Sequence, residues 1–497
     1  MMRTIIFAIL ILCSLSGCEK FLNINPINKA YEDELFADRS GFESVLAGVY
    51  HKMASVPLYG KELKFGFMET LVGSYTNLNS SHYYYHASQH QYNYNIPLKR
   101  ISEIWSESYN LINQTNIILK NIENIKDDSY YNLVKGEALG IRCLMHFQLL
   151  KLFGPVIKEE GIEGASIPYK EKTEFVGGQY PTTQEFLEKL EKDLAEARAL
   201  LINDPLRTNL RDANLNILAY ERYNSLIDYR AVRMNYYAVI SLQALVAQWK
   251  GDLVIARQYA EELLEEFETK QTSIRLITAG ERNESSNSRF PMENIFALLS
   301  PNLLQNALIV HTTINDDHEI GTTPYLFPNY NFLLKNLYNV AEYGSINDFR
   351  LLNWFGRYNE ESTTWKLIKF VFDPKYLYSA EKKRYENKII SIHTIYMIAA
   401  EEYAKSDPNK AISYLNKVRN ARNITKNIEY KSELTEEIIL NLVFDEMRKD
   451  NIDEGYMFGE YKRQFRAIHR ARPVKPTVAI FKFPIPVDEQ LYNPQNK

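Results

Sequence analysis

The feature that most constrains this chain is a helical pattern that occurs twice. Met234 to Trp249 reads as a helix ending at Lys250-Gly251, and Asp252 is placed to cap a second helix carrying Ala256, Tyr259 and Leu263. Roughly 155 residues further on, the same order returns. Ile390 to Ala404 is followed by Lys405-Ser406-Asp407-Pro408, with Asp407 as N-cap and Pro408 as the first helical residue. Ala411, Tyr414 and Val418 then stand at the offsets from Asp407 that Ala256, Tyr259 and Leu263 hold from Asp252. A small residue at the first of these offsets lets two helices approach closely, and the tyrosine fills the groove beside it.

This is the logic of tetratricopeptide helix pairs, which bury their apolar faces by stacking on one another. Long insertions separate the two units, so the expected fold is mainly α: a scaffold of such pairs with irregular insertions and a few short strands. Further helices are expected from Ser40, on the spacing of Phe42, Leu46 and Val49-Tyr50, and from Trp105, with Tyr109, Ile112, Asn116 and Leu119 on one face. Another covers about Leu133 to Phe153 and is stopped by Gly154-Pro155; one more covers Gln184 to Leu201. Residues 74–98 break the pattern with Tyr, His, Asn, Ser and Gln. Residues 268–385 form a variable insertion, with a short strand at Ile295 to Leu299 and a Tyr- and Asn-rich loop over Pro324 to Tyr343. Repeat units flank this insertion on both sides, so residues 29–497 read as one composite domain.

The N-terminus carries Arg3, an unbroken apolar run from Ile5 to Cys13, and Leu15-Ser16-Gly17-Cys18. That run is about half of the roughly 20 residues that cross a bilayer, so residues 1–17 read as a signal peptide. The small residues before Cys18 resemble the bacterial lipobox, in which the cysteine is diacylated and becomes the first mature residue. Each buried acyl CH₂ contributes about 0.8 kcal/mol, and two or three chains make such an anchor effectively permanent. The alternative is an ordinary secretory signal, which mass spectrometry of the mature N-terminus distinguishes. Residues 18–28 then form a tether. With Cys13 removed and Cys18 acylated, Cys143 stands alone, so neither an intrachain disulfide nor a cysteine-based zinc site can form. Cys143 lies among apolar helix residues and is expected to be buried and inert. A net charge of −4 and the lack of a basic stripe argue against a nucleic-acid partner.

Several segments resemble, in order, the SusD/RagB family of Bacteroidetes outer-membrane lipoproteins. Lys135-Gly136-Glu137-Ala138 through Arg142, His146-Phe147, Leu149 and Leu152-Phe153-Gly154-Pro155 is similar to that family's first conserved helix and its exit. Ala411 through Leu415-Asn416-Lys417-Val418-Arg419 resembles its "LN-x-VR" helix. Leu434-Thr435 through Glu446, Glu454-Gly455-Tyr456-Met457-Phe458 and Tyr461-Lys462-Arg463 resemble its "E…EG-x-R-x-x-D-L-x-R" segment. Phe483-Pro484-Ile485-Pro486 and Asn493-Pro494 match the closing "PIP…NP". The chain departs from the family where Leu139 replaces a frequent Arg, where Ser391 and Thr394 replace an Arg–Glu pair, and at Met457 and Glu460. These departures read as altered structural ion pairs in a divergent member. The resemblance implies a non-catalytic, cell-surface lid over a SusC-type TonB-dependent transporter. Such a lid captures an oligosaccharide, occasionally a peptide, and is held to the outer membrane through its lipid alone. It implies no cofactor.

Starch-binding relatives carry ligand-contacting aromatics just before the helix that corresponds to Trp105. Here that place holds Tyr75, Tyr83, Tyr84, Tyr85, Tyr92 and Tyr94, with Asn77, Asn79, Gln89 and Asn93 between them. Sugar C–H faces stack on aromatic rings while sugar hydroxyls pair with amides, and a Tyr/Asn-rich loop supplies both. Tyr325, Asn329 and Tyr330 form a second candidate wall. The same tyrosines could instead pack the loop onto the helical core. His82, His86 and His90 recur every four residues, which on a helix would gather three imidazoles. The segment reads as a loop, however, and no metal is assigned. No HExxH, G-x-S-x-G, phosphate-binding loop or dinucleotide fingerprint occurs, so no enzyme is expected. Acidic groups such as Asp316-Asp317 and Glu319 leave a glycosidase pair open by count alone. A non-binding repeat scaffold is the remaining alternative, which calorimetry against glycans and peptides separates.

Overall fold

The structure, a computed structural model, describes residues 27–76, 78–173, 180–208, 226–227, 229–270, 272–283, 288–311, 326–357, 365–370 and 385–493. The leader, Cys18, Asn77, Asp316-Asp317, Glu319 and Tyr325 lie outside the described residues. The longer helices are α1 (Ile27–Leu35), α2 (Arg39–Met53), α3 (Asn95–Asn121), α4 (Tyr131–Phe153), α5 (Thr183–Leu200) and α6 (Tyr236–Lys250). They continue with α7 (Leu253–Thr269), α8 (Leu303–His311), α9 (Ile392–Ser406), α10 (Pro408–Ala421), α11 (Glu436–Asp450) and α12 (Met457–Gln464). The strands are β1 (Asn294–Leu299), β2 (Phe355–Arg357), β3 (Trp365–Leu367) and β4 (Glu386–Ser391). Among the described residues, no helix is long and apolar enough to cross a membrane.

The two repeat units form where the sequence puts them, as α6–α7 and α9–α10, and α7 packs on α9 so that the pairs stack. Ala256 and Ala411 are both buried at the close approaches. Glu261 of α7 ties the units together, accepting from the Tyr403 hydroxyl at 2.7 Å, the Lys410 ammonium at 2.7 Å and the Tyr414 hydroxyl at 3.1 Å. The caps differ. Asp407 accepts from the Lys410 N–H at 3.1 Å. Asp252 makes no such side-chain bond and instead faces the Lys250 ammonium at 3.5 Å, because Gly251, at φ 97°, already turns the chain.

Helix α4 is buried on nearly every side, with α3 and α5 against it. Cys143 sits in its middle, fully buried, and burial pushes its thiol up. The predicted strand at 295–299 is β1, which pairs antiparallel with β4, the strand that runs straight into α9.

The sequence misjudged two stretches. Helix α3 begins at Asn95, ten residues before Trp105, with Pro97 accommodated in its first turn. Residues 330–343, expected as loop, form short helical turns at Tyr330–Leu333, Leu334–Tyr338 and Val340–Tyr343. Leu333, Leu337 and Tyr338 enter a second apolar core there, with Phe349, Trp354, Phe355 and Leu367, and packing decides the conformation. Buried arginines join this core to α11: Arg350 binds Asp348 (2.7 Å), Glu446 (2.6 Å) and Asp450 (3.0 Å), and Arg422 binds Glu293 (2.6 Å) and Asp450 (2.8 Å).

Candidate functional site

The two candidate walls, far apart in sequence, meet through the backbone. Tyr75 pairs with Pro328 in an antiparallel bridge; the Thr76 N–H donates to the Phe327 carbonyl at 2.8 Å, and the Asn329 N–H to the Ser74 carbonyl at 3.0 Å. The side chains then divide into anchors and a solvent edge.

Tyr75, Tyr84 and Tyr92 are anchors, each buried and each with its hydroxyl engaged. Tyr75 meets the Asp453 carboxylate and lies 3.1 Å from the Phe65 carbonyl, while His311 Nε2 reaches Asp453 at 2.7 Å. The Tyr84 hydroxyl is 3.0 Å from Glu62, and Tyr92 donates to the Ile480 carbonyl at 2.7 Å with its ring edge-on to Phe483. Burial pushes all three phenols well up, so they stay neutral donors. Half-buried Tyr83 is held by Arg100, whose guanidinium carbon lies 5.3 Å from the ring centroid and which also bonds the hydroxyl.

The solvent edge is built by Tyr85, His86 and Tyr94. Tyr94 is 50% exposed, and its ring stacks on His86 at 3.6 Å with an interplanar angle of 11°. Tyr85 meets the same imidazole edge-on at 5.2 Å, and His86 Nδ1 lies 2.8 Å from Gln91 Oε1. Gln89, Gln91 and Asn93 are exposed around this platform. A flat aromatic face ringed by amides suits a sugar, whose C–H groups and hydroxyls alternate.

The three histidines turn to different partners. His82 Nδ1 accepts from the Tyr84 N–H at 3.0 Å, His86 joins the stack, and His90 Nε2 meets the Leu71 carbonyl at 3.0 Å. Burial holds the His90 imidazole down at about 4. Only Tyr85–Ser88 is helical here, so the four-residue spacing does not gather the rings on one face.

Across the bridge, Tyr330 stacks on Trp365 at 3.7 Å and 14°, and the Arg357 guanidinium carbon lies 5.7 Å from the Trp365 ring centroid. Asn329, half-buried, precedes this ledge. Sequence reasoning missed Trp365, Arg357 and His86 as members of the site. Trp365 and Arg357 are brought together by β2–β3 pairing, and no local pattern announces that. Helix α3 also borders a groove of about 670 Å³ lined by Lys99, Glu103, Trp105, Tyr109, Asn113 and Glu489.

Residues 20–215 match the SusD-like family model described as "Starch-binding associating with outer membrane". Over residues 20–215 the chain is thus similar to the SusD-like family.

Solved structures carry the fold over the remainder. A SusD-like carbohydrate binding protein from Bacteroides vulgatus matches with a TM-score of 0.69 and 18% identity, over 92% of this chain and 97% of its own. A SusD superfamily protein from Bacteroides thetaiotaomicron matches with a TM-score of 0.68 and 19% identity, over 92% and 98%. One from Bacteroides fragilis gives 0.67 and 16%, over 93% and 100%. No curated protein sequence matches the chain.

In this chain the motif residues are structural. Glu137 receives Arg230, Arg233 and the Tyr50 hydroxyl inside the core. Arg463 binds Glu401 at 2.7 Å and Glu460 at 2.6 Å, so Glu460 serves as an ion-pair acid. Ser391 and Thr394 flank buried His393, at 2.9 and 3.3 Å, and Met457 is buried.

Proposed function

We propose that this SusD-like protein is a lipid-anchored, surface-exposed binding protein that captures an oligosaccharide and delivers it to a SusC-type TonB-dependent transporter. The observation that carries the reading is the stacked Tyr94–His86 platform with Tyr85 beside it, in a family whose model is described as starch-binding. Tyr330 on Trp365 offers a second stack on the neighbouring segment. Cys18 carries the acyl anchor, and the chain's own role is binding without catalysis.

Calorimetry of the purified protein against a glycan panel tests the reading. One glycan class should bind, and Tyr85→Ala with Tyr94→Ala together should weaken it about tenfold or more, on the ~1.4 kcal/mol of lost stacking that tenfold represents. Absence of glycan binding by the unaltered protein, or unchanged affinity in the double variant, would overturn it. Cys18→Ala should release the protein from the membrane fraction; retention would sink the anchor.

A further inference from the structure

A second cavity, of about 430 Å³, opens where the C-terminal end of α6 meets α9 and α12. Its size lies within the range of small-molecule pockets. Its lining is rich in donors. Trp249 is only 4% exposed and its indole N–H has no hydrogen-bond partner among the described residues. Lys462 is 1% exposed, and its ammonium meets a single neutral acceptor, the Gly154 carbonyl at 2.6 Å. Lys158 meets the Gln464 carbonyl at 3.1 Å, and Arg466 meets the amide oxygens of Gln464 and Asn441, each at 2.5 Å. None of these three cations has a carboxylate within ion-pair distance among the described residues.

Among the described residues the lining holds one carboxylate, Glu401, and it is already committed. Arg463 binds it through both terminal nitrogens, at 2.8 and 2.7 Å, and Gln248 donates to it at 2.6 Å. A third lysine, Lys250, is neutralised by Glu191 at 3.2 Å. An indole can only donate and an ammonium can only donate, so Trp249 and Lys462 both offer donors and no acceptor. Leaving buried donors unmet costs about 1–3 kcal/mol each, and more for a charge. An occupant that brings acceptor oxygens and negative charge removes that cost. Burial also drives the Lys462 ammonium well below its ordinary range, with Lys482 adding to the effect and Glu160 opposing it, which marks a cation short of counter-charge. Lysines in the last turn of a helix often answer the helix dipole. That accounts for Lys250 and Lys462 being basic, but not for the unmet indole N–H or for Lys158 and Arg466 converging from other segments.

We propose that this cavity is a second binding site, for a carboxylate-bearing molecule of monosaccharide size, a sugar acid. The carboxylate sits against Lys462 and the Trp249 N–H, with Arg466 and Lys158 closing the mouth. The site uses none of the tyrosines of the platform, so its success or failure is separate from the glycan reading.

The test is titration of the whole mature protein with galacturonate, galactose and sulfate, followed through the indole N–H resonances. The chain has 4 tryptophans, and Trp249→Phe assigns the one that matters. Galacturonate should shift the Trp249 resonance saturably, galactose should not, and sulfate should bind at least tenfold more weakly than galacturonate. Arg466→Gln should weaken galacturonate at least tenfold with the melting temperature unchanged. Lys462→Met should do the same without loss of fold, since it removes a desolvated charge. The Tyr85→Ala, Tyr94→Ala protein should bind galacturonate normally. An unmoved Trp249 resonance, equal shifts with galactose, sulfate binding as tightly as galacturonate, or full affinity in Arg466→Gln would each overturn the proposal.

Discussion

Tyr84 and Tyr94 belong to the same tyrosine-rich segment, yet the first is sealed against Glu62 and the second lies open on His86. Tyr84→Ala removes a fully buried aromatic and should destabilise the fold by about 3–5 kcal/mol in denaturant titration. Tyr94→Ala should stay within about 0.5 kcal/mol of the parent in the same experiment. Comparable losses at the two positions would contradict this division into anchor and edge. Glu69, under the same segment, has a pH signature. Burial, and then the charge of Asp453, push its carboxyl from 4.5 up to about 8, with Ser74 at 2.5 Å and the Gly455 N–H at 3.2 Å around it. Between those values the unfolded chain has released the proton that the folded protein keeps. Stability attributable to Glu69 is therefore full below about 4.5, falls as pH rises toward 8, and levels off above. Glu69→Gln, which mimics the protonated form, should flatten that decline in melting temperature; an unchanged slope would count against it.

Elements show how far a sequence signal reaches. The paired units were legible because their stabilising contacts recur at fixed spacing: Ala256 and Ala411 at the close approach, Tyr259 and Tyr414 beside them. Their caps looked equivalent and are not. Asp407→Ala should cost about 1 kcal/mol, whereas Asp252→Ala, with no cap bond to lose, should change stability by less than about 0.5 kcal/mol. Thermal unfolding of the two variants side by side decides this. Helix α3 was only half visible, since residues 95–104 combine Asn, Pro and Lys with isolated isoleucines, and α2 and the tyrosine segment supply the packing that extends it.

At the scale of the molecule, the insertion is held to the repeats by charge buried with charge. Asp450 of α11 receives both Arg350 and Arg422, and although burial acts in the opposite sense, these arginines hold its carboxyl well below the ordinary range. Removing one partner strands the others, so Arg422→Met should cost about 3–5 kcal/mol. Limited proteolysis should then cut the insertion faster than the repeats; uniform cutting would indicate that the apolar core alone secures it. The sequence by itself determined the helix pairs, the strand at 295–299, the family signature and the regions from which a binding surface would come. These follow from spacing within one element or from residue order along the chain. Only the tertiary structure decided which tyrosines face solvent, that Trp365 backs Tyr330, that Tyr75 and Pro328 join the two walls, and that unmet donors converge beneath α6. Each of these depends on which distant segment comes to lie alongside, and a tyrosine's chemistry serves a core as well as it serves a surface.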